Sequence, residues 1–246
     1  MAAVVGTSVP RLGLDDELSA AELRRLAELE ARRLEGEPLQ YLEGSAAFGP
    51  FELVVDDRVL VPRPETEQLW ELAVALVERP AVIVDVGTGS GALAVALART
   101  FPEARVVATD VSAEALAVAE LNRARLGVEV EFRCGNLFDA LPGELWGRVD
   151  LLVSNPPYVA EGEWESLPAD VRREPRGALV AGPRGTEVLE RLVGGLDRWL
   201  AADGVAVFEI GESQGEFLAE WASGLGRRVE VRRDLAGRDR FLVVRR

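Results

Sequence analysis

The 246-residue chain lacks histidine and lysine altogether and has a single cysteine, Cys134. Without histidine there is no imidazole for acid-base catalysis and no His-ligated metal site, and one thiol cannot build a thiolate zinc site. A lone cysteine also excludes an intrachain disulfide, which favours a cytoplasmic location. The chemistry must therefore rest on carboxylates, amides, hydroxyl groups and a bound cofactor, and we expect no metal.

Long apolar runs are also missing, although 48% of the residues are hydrophobic. No stretch approaches the length that crosses a bilayer, and residues 1–10 lack the charged start and apolar core of a signal peptide. The formal net charge is −14, from 42 acidic side chains against 28 basic ones, all of them arginine. Such a surface repels polyanions at long range, so we expect neither a nucleic-acid partner nor a membrane partner.

The most informative stretch is Ser154-Asn155-Pro156-Pro157-Tyr158, which follows the apolar run 149–153. The run predicts a buried parallel strand that ends at a rigid loop. The prolines remove two backbone donors but keep their carbonyl acceptors, Asn155 adds a side-chain carbonyl, and Tyr158 adds an aromatic face. Convergent acceptors beside a ring suit a planar NH2 group, either a carboxamide or the exocyclic amine of a base. The competing interpretation is an Asn-Pro turn with a core tyrosine.

A glycine-rich loop, residues 85–91, lies at the first predicted strand-to-helix turn, where glycines let the backbone approach a ligand. The alternative role for such a loop is tight packing of the helix on the strand. Asp110, at the tip of the next predicted strand, can accept both hydroxyl groups of a ribose. Asp85 would repel a pyrophosphate but suits a cationic ligand, so the loop is similar to the first motif of S-adenosylmethionine-dependent methyltransferases.

Asn136 and Leu137 follow the third predicted strand of the sheet. The Asn136 side-chain oxygen can accept the adenine amine, and Leu137 can cover the adenine ring. An Asx turn with packed apolar neighbours explains the same residues. The predicted cofactor-binding residues are Asp85, Gly87, Thr88, Gly89, Ser90, Gly91, Asp110, Asn136, Leu137 and Asn155. The predicted catalytic residues are Asn155, Pro156 and Tyr158, and the substrate is held by Asn155, Pro156, Pro157 and Tyr158.

Alternating strands and helices predict an α/β fold with a doubly wound, mostly parallel, seven-stranded Rossmann-like sheet. The last two strands have no helix between them, so we expect one antiparallel strand inserted at the edge of the sheet. The expected strands are 82–86, 105–109, 129–133, 151–154, 204–210, 228–232 and 241–245.

The region before the sheet is expected to form a small helical appendage and a β-hairpin linker. Ser19 and Glu22 fit a capping box in a helix predicted over 14–35. Two strands, 51–55 and 58–61, are predicted to pair across an acidic turn. The expected organisation is a helical substrate-docking segment at 1–45, a hairpin linker at 46–62 and a catalytic domain at 63–246.

In chain order, these segments resemble the HemK-type protein-(glutamine-N5) methyltransferases, which modify the glutamine of the Gly-Gly-Gln motif in peptide chain release factors. The resemblance covers nearly everything from Glu37 onward. Pro-Arg-Pro-Glu-Thr-Glu at 62–67 is far more specific than the Asn-Pro-Pro-Tyr motif. The segments that carry the resemblance are 38–44, 61–67, 85–91, 155–159 and 170–175.

The resemblance implies a class I methyltransferase that uses S-adenosyl-L-methionine and acts on a release factor in the cytoplasm. It also implies that Gly87 to Gly91, Asp110 and Leu137 contact the cofactor and that Asn155 to Tyr158 hold the glutamine amide. The N-terminal segment is expected to help dock the release factor. Arg63 either shapes the roof over the cofactor or opens its helix, and Trp164 either belongs to a lid or anchors its loop.

Three other functions fit part of the pattern. An adenine-N6 methyltransferase acting on DNA or RNA shares the Asn-Pro-Pro-Tyr motif, but the acidic balance and the lack of a target-recognition domain disfavour it. Methylation of a glutamine in another protein, such as a ribosomal protein, uses the same site. A cofactor-binding module that has lost its activity is disfavoured by the intact Asn155, Tyr158 and Asp110.

Overall fold

The computed structural model describes residues 18–246. The start of the predicted helix 14–35 lies outside the described residues, and its body forms helix α1 (Ala20–Leu34). The predicted capping box is confirmed, because Ser19 Oγ accepts from the Glu22 backbone N–H while the Glu22 carboxylate accepts from Ser19 N. A second short helix, α2 (Leu39–Glu43), follows and ends at Gly44, whose φ of 70° favours glycine.

The hairpin linker exists, but its predicted strand pairing is wrong. Strand β1 (Ser45–Phe48) pairs with β2 (Phe51–Val54) across a Gly49-Pro50 turn, and residues 58–61 form no strand. Gly49 has a φ of 53°, which a glycine adopts readily. Val59 and Val61 are buried with Tyr41 in a small separate cluster. The apolar pattern at 58–61 therefore reflects burial and not strand pairing.

The chain from residue 64 onward alternates helices and strands. The helices are α3 (Pro64–Leu76), α4 (Ala92–Thr100), α5 (Ala113–Leu126), α6 (Glu187–Trp199) and α7 (Gly215–Gly224). The strands are β3 (Val82–Val86), β4 (Arg105–Asp110), β5 (Glu131–Cys134), β6 (Val149–Ser154), β7 (Val159–Ala160), β8 (Val180–Gly182), β9 (Leu200–Glu209), β10 (Arg228–Arg233) and β11 (Asp239–Arg245). The sheet predicted from the sequence is confirmed as a seven-stranded one, in the order β10-β11-β9-β6-β3-β4-β5.

The sheet is parallel except at β11, which runs antiparallel to both of its neighbours. The antiparallel strand is therefore inserted between β9 and β10, one position inside the edge. Strands β7 and β8, which the sequence analysis did not predict, form a separate short parallel pair.

Both faces of the central sheet are buried, which explains why its strands are continuous apolar runs. On β6, Leu151 and Val153 pack in the cluster that contains α3 and α4, while Leu152 packs in the cluster that contains α6. Because successive side chains on a strand point to opposite faces, one run fills two cores. Within residues 18–246, no helix combines the length and the apolar character needed to span a membrane.

The strand order reverses beside β3. From β3 the chain moves outward through β4 and β5, and it then returns to β6 on the other side of β3. Ligands of open α/β sheets bind at this kind of reversal, outside the carboxyl ends of the strands. The glycine-rich loop after β3 and the Asn-Pro-Pro-Tyr segment after β6 therefore emerge side by side.

Candidate active site

The glycine-rich loop turns sharply from β3 into α4. Gly87 N and Thr88 N both donate to the Thr109 carbonyl oxygen at 2.8 and 2.9 Å, which holds the loop against β4. Gly91, the residue before α4, has a φ of 81°, and a Cβ there would lie 3.0 Å from the Ala119 Cβ. Glycine at this position therefore satisfies both the backbone conformation and the close approach of α5.

Asp110 ends β4 and fixes the loop from the other side. Its Oδ2 accepts from Gly89 N at 2.8 Å, and its Oδ1 accepts from Ser112 N at 2.9 Å. Burial raises the pKa of Asp110 above its usual value, although these backbone donors oppose the rise. The carboxylate borders the cavity described below, where a polyhydroxyl group can reach it.

Asp85 lies behind the loop and not on the cavity wall. It is fully buried, its Oδ2 accepts from Thr88 Oγ1 at 2.6 Å, and its Oδ1 has no hydrogen-bond partner within the described residues. Burial raises the pKa of Asp85 to about 7. An incompletely satisfied buried carboxylate makes the potential around the loop negative, which suits a cationic ligand and disfavours a phosphate.

Asn155 emerges at the carboxyl end of β6. Its Nδ2 donates to Thr66 Oγ1 at 2.9 Å, and Thr66 belongs to the first turn of α3. Tyr158 Oη donates to Glu209 Oε1 at 3.2 Å, and the Tyr158 carbonyl accepts from Gln214 Nε2 at 2.8 Å. The loop after β6 is thus fixed at both of its polar side chains.

These groups border a cavity of about 340 Å³ at the carboxyl ends of β3, β4 and β6. Of the sequence-predicted site residues, the cavity brings together Gly87, Thr88, Gly89, Ser90, Asp110, Asn136, Leu137, Asn155 and Pro157. Four others adjoin the cavity through the same loops without being part of its wall, namely Asp85, Gly91, Pro156 and Tyr158.

Leu137 adopts a φ of 52°, in the left-handed region that non-glycine residues rarely occupy. Its carbonyl accepts from Thr109 Oγ1 at 3.1 Å, and its side chain lines the cavity. Backbone strain of this kind is concentrated at ligand sites, because the surrounding structure must hold it in place.

Sequence reasoning missed several residues of the site. Thr66 and Pro62 line the cavity from the Pro-Arg-Pro-Glu-Thr-Glu segment, and Pro175 and Ala178 line it from the segment after Glu174. Pro62, Thr66 and Pro175 lie in segments that carried the family resemblance, so a signal was present although no role was attached to these side chains, whereas Ala178 lies outside those segments. Glu209, at the end of β9, gave no local signal.

The residues of the cavity fit S-adenosylmethionine. The wall is mainly apolar, Asp110 offers a carboxylate at the tip of the second strand, and the unpartnered Asp85 oxygen favours a positive charge near the glycines. Asn136 and Leu137 lie on the same wall, where an adenine would require an acceptor and an apolar cover. No phosphate-binding group is required by such a ligand, and none of the basic side chains bonds to the glycine-rich loop in residues 18–246.

Comparison with known proteins identifies the family to which the chain is related. Residues 71–172 match the family described as Methyltransferase small domain, and residues 1–44 match the one described as PrmC N-terminal domain. A release factor glutamine methyltransferase of Enterococcus faecalis is 40% identical over 236 residues, covering 94% of this chain and 84% of that protein. One of Bordetella pertussis is 42% identical over 229 residues, covering 92% of this chain and 84% of that protein.

Among solved structures, the ribosomal protein L11 methylase of Lactobacillus delbrueckii subsp. bulgaricus is 26% identical, with a TM-score of 0.56. The similarity covers 75% of this chain and 80% of that one. The fold and the site thus define a class I methyltransferase with S-adenosylmethionine as methyl donor. More narrowly, the relatives place the chain in the release factor glutamine methyltransferase family, to which it belongs.

Proposed function

We propose that the protein methylates the N5 side-chain nitrogen of the glutamine in the Gly-Gly-Gln motif of peptide chain release factors. The observation that carries the proposal is the orientation of Asn155 at the rim of the cavity. Its Nδ2 is engaged by Thr66, so its Oδ1 remains as the acceptor for an incoming NH2 group. A planar primary amide fits an acceptor of this kind beside a proline carbonyl.

The substrate nitrogen is a poor nucleophile because its lone pair is delocalised into the carbonyl. Asn155 Oδ1 and the Pro156 carbonyl accept its two N–H groups, and Tyr158 packs on the amide plane. As positive charge develops on the nitrogen, both acceptors bind it more strongly than they bind the neutral amide. Orientation and electrostatics therefore lower the barrier without a strong general base.

Bound S-adenosylmethionine supplies an electrophilic methyl group on a sulfonium centre. The residues proposed to hold it are Gly87 to Gly91, Asp110, Asn136 and Leu137, with Asp85 contributing negative potential from behind the loop. The nitrogen would gain the methyl group as the bond from that methyl carbon to sulfur breaks, which would leave a neutral thioether, and the nitrogen would lose one proton. Because an amide protonated on nitrogen is a strong acid, water is a sufficient proton acceptor.

We propose further that the protein acts in the cytoplasm and that the N-terminal segment 1–45 takes part in docking the release factor. The match of residues 1–44 to the PrmC N-terminal domain supports treating this segment as a separate unit, since the match ends where the hairpin begins. The hairpin linker 46–62 and the catalytic domain 63–246 complete the proposed organisation.

The test is to replace Asn155 by Ala and to assay a purified release factor by mass spectrometry of its Gly-Gly-Gln peptide. Turnover should fall by roughly 100-fold or more, the scale of a lost transition-state hydrogen bond, while affinity for the cofactor stays nearly unchanged. Cofactor affinity is measured by calorimetry on the same preparation. An unmodified peptide with the wild-type enzyme, or full turnover by Asn155→Ala, would contradict the proposal.

A further inference from the structure

A chain of hydrogen bonds leads from Asn155 to a buried carboxylate that takes no part in the proposed methyl transfer. Thr66 Oγ1, which accepts from Asn155 Nδ2 at 2.9 Å, donates to Glu209 Oε2 at 2.8 Å. The other carboxylate oxygen accepts from Tyr158 Oη at 3.2 Å. Glu209 is 1% exposed and Thr66 is 5% exposed, so water does not replace these partners. Both polar side chains of the proposed amide clamp therefore share one anchor.

The carboxylate sets the direction of every bond in this chain. An ionised carboxylate only accepts hydrogen bonds, so the single Thr66 hydroxyl proton must point toward Glu209. Thr66 Oγ1 then has no proton left to donate to Asn155 and can only accept. Asn155 must therefore face it with its N–H group. The oxygen and nitrogen ends of an asparagine amide have nearly the same size and shape, so its hydrogen-bond partners decide which way it faces. Here the turned-over amide would place an acceptor against an acceptor.

Burying the Glu209 carboxylate carries a desolvation penalty that a side chain needed only for packing would avoid. It sits at the carboxyl end of β9 and faces Thr66 and Glu65 on α3, Tyr158 on the loop after β6, and Arg240 on β11. Burial raises its pKa to about 7, although Arg240 and the two hydroxyl donors oppose the rise. A neutral side chain of the same size would avoid this desolvation penalty. The presence of a carboxylate therefore points to a need for a group that, in its ionised form, only accepts hydrogen bonds.

We propose that Glu209 and Thr66 are positioning residues that fix which way the Asn155 amide faces. By committing the Asn155 nitrogen to Thr66, they keep the Asn155 oxygen available for the substrate NH2 group. Glu209 also holds the Tyr158 hydroxyl, so one carboxylate orients the acceptor and the ring together. The inference rests on the proposed function, because it concerns how the same amide substrate is oriented.

The first test compares Thr66→Val with Thr66→Ser. Valine removes the hydroxyl group and frees the Asn155 amide to turn over, so kcat should fall by at least roughly 10-fold. Serine keeps the hydroxyl group and should restore most of the activity. The KM for S-adenosylmethionine should change little in either variant. Thr100→Val is the control for losing a threonine hydroxyl, since Thr100 Oγ1 bonds to the Ala96 carbonyl and to Trp70 Nε1 and does not line the cavity.

The second test is Glu209→Gln, which keeps the size of the side chain but adds a donor. The glutamine NH2 group can donate to Thr66 Oγ1, which lets the Thr66 proton point toward Asn155 and inverts the amide. We expect kcat to fall by roughly 10- to 100-fold. With saturating cofactor, the wild-type kcat should decline as the pH drops through about 7, where Glu209 takes up a proton. This decline should be absent in Glu209→Gln.

The outcomes separate the two proposals. If the wild-type enzyme leaves the release factor unmodified, the proposed function fails, whatever the variants do. If the wild-type enzyme is active and both Thr66→Val and Glu209→Gln remain within about 2-fold of it, the positioning role is overturned. Equal losses in Thr66→Val and Thr66→Ser would also overturn it, because packing and not the hydroxyl group would then be responsible. If Glu209→Gln does not fold, the two Thr66 variants decide.

Discussion

Asp85 is a buried carboxyl group that destabilises the fold when it is charged and to which we assign a role in cofactor binding. It is fully buried, and one of its carboxylate oxygens has no partner within residues 18–246. Burial raises the pKa of Asp85, although the hydrogen bond from the Thr88 hydroxyl favours the charged form. We propose that this buried carboxyl group serves a positively charged ligand beside the glycine-rich loop. Stability and cofactor affinity should therefore respond in opposite directions when its charge is removed.

Asp85→Asn should raise the free energy of unfolding at pH 8 by roughly 1–3 kcal/mol and change it little at pH 4. The folded-state pKa of Asp85 is raised to about 7. Between the unfolded pKa of about 4 and this value, the folded protein holds a proton that the unfolded chain has lost. The free energy of unfolding of the wild-type protein therefore falls as the pH rises across that window. The Asp85→Asn variant has no carboxyl group at this position and should not show this fall. Urea denaturation of both proteins from pH 4 to pH 8 measures the difference.

The same variant should bind S-adenosylmethionine more weakly, because the negative potential behind the loop is lost. Calorimetry at pH 8 measures this change. Glu103→Gln, at an exposed position, removes a carboxylate without either effect and serves as the control. A stability gap that stays constant with pH would show that burial of the charge is not what destabilises the wild-type protein.

At the scale of elements, one ion pair connects two segments that wall the cavity. Arg63, directly before α3, contacts Glu174 Oε1 at 2.5 Å, and Glu174 Oε2 accepts from Val61 N at 2.9 Å. The Glu174 side chain is 2% exposed. The pair thereby holds residues 171–178 against the start of α3. This contact is the role of Arg63 in the structure. It shapes the cavity by anchoring its far wall.

Arg63→Met should destabilise the protein by about 2 kcal/mol, because it leaves the buried Glu174 carboxylate without its cation. The arginine is itself 30% exposed, so the loss stays below that of a fully buried pair. Adding Glu174→Gln to Arg63→Met should recover part of the stability, since the double variant has no unpaired buried charge. Chemical denaturation gives the stability, and hydrogen exchange over residues 168–180 should increase in Arg63→Met. Independent, additive effects of the two substitutions would contradict this account.

How far elements can be read from sequence depends on whether their signal is local. The apolar runs of β3, β4 and β6 are buried on both faces and bounded by turn residues, so these strands were predictable, whereas no order of the strands in the sheet was predicted. The 45–54 hairpin was misassigned because Ser45-Ala46-Ala47 carries little strand preference, whereas Val59 and Val61 carry much and are buried without pairing.

The same distinction applies to the site. Asn155 and the glycine-rich loop are recognisable because the short stretch around each has a pattern of its own. The bond between Thr66 and Glu209 joins positions 143 residues apart, and a glutamate at the end of a strand has no distinctive neighbours. Only the sheet order, which places β9 next to β6, brings that carboxylate to Tyr158 and α3.

At the scale of the whole molecule, charge is the property that separates the proposed function from its nearest alternative. The Asn-Pro-Pro-Tyr segment suits an adenine amine as well as a carboxamide, so the clamp does not distinguish the two substrates. The net charge of −14 disfavours a nucleic-acid substrate, because a nucleic-acid enzyme must neutralise phosphates with basic side chains. Many arginines are already committed to acidic neighbours, including Arg105 with Glu131 and Arg184 with Glu190.

We therefore expect no methyl transfer to DNA or RNA under conditions in which a release factor is modified. The experiment incubates the enzyme and labelled cofactor in parallel with a release factor, with duplex DNA and with single-stranded RNA at about 50 mM salt, where phosphate contacts are strongest. Retention on nucleic acid is measured in the same samples by a mobility shift. Labelling of nucleic acid that falls steeply as salt is raised would support the adenine-directed alternative, because binding through phosphate contacts has that dependence. Labelling confined to the Gly-Gly-Gln peptide is the outcome that we expect from the acidic surface.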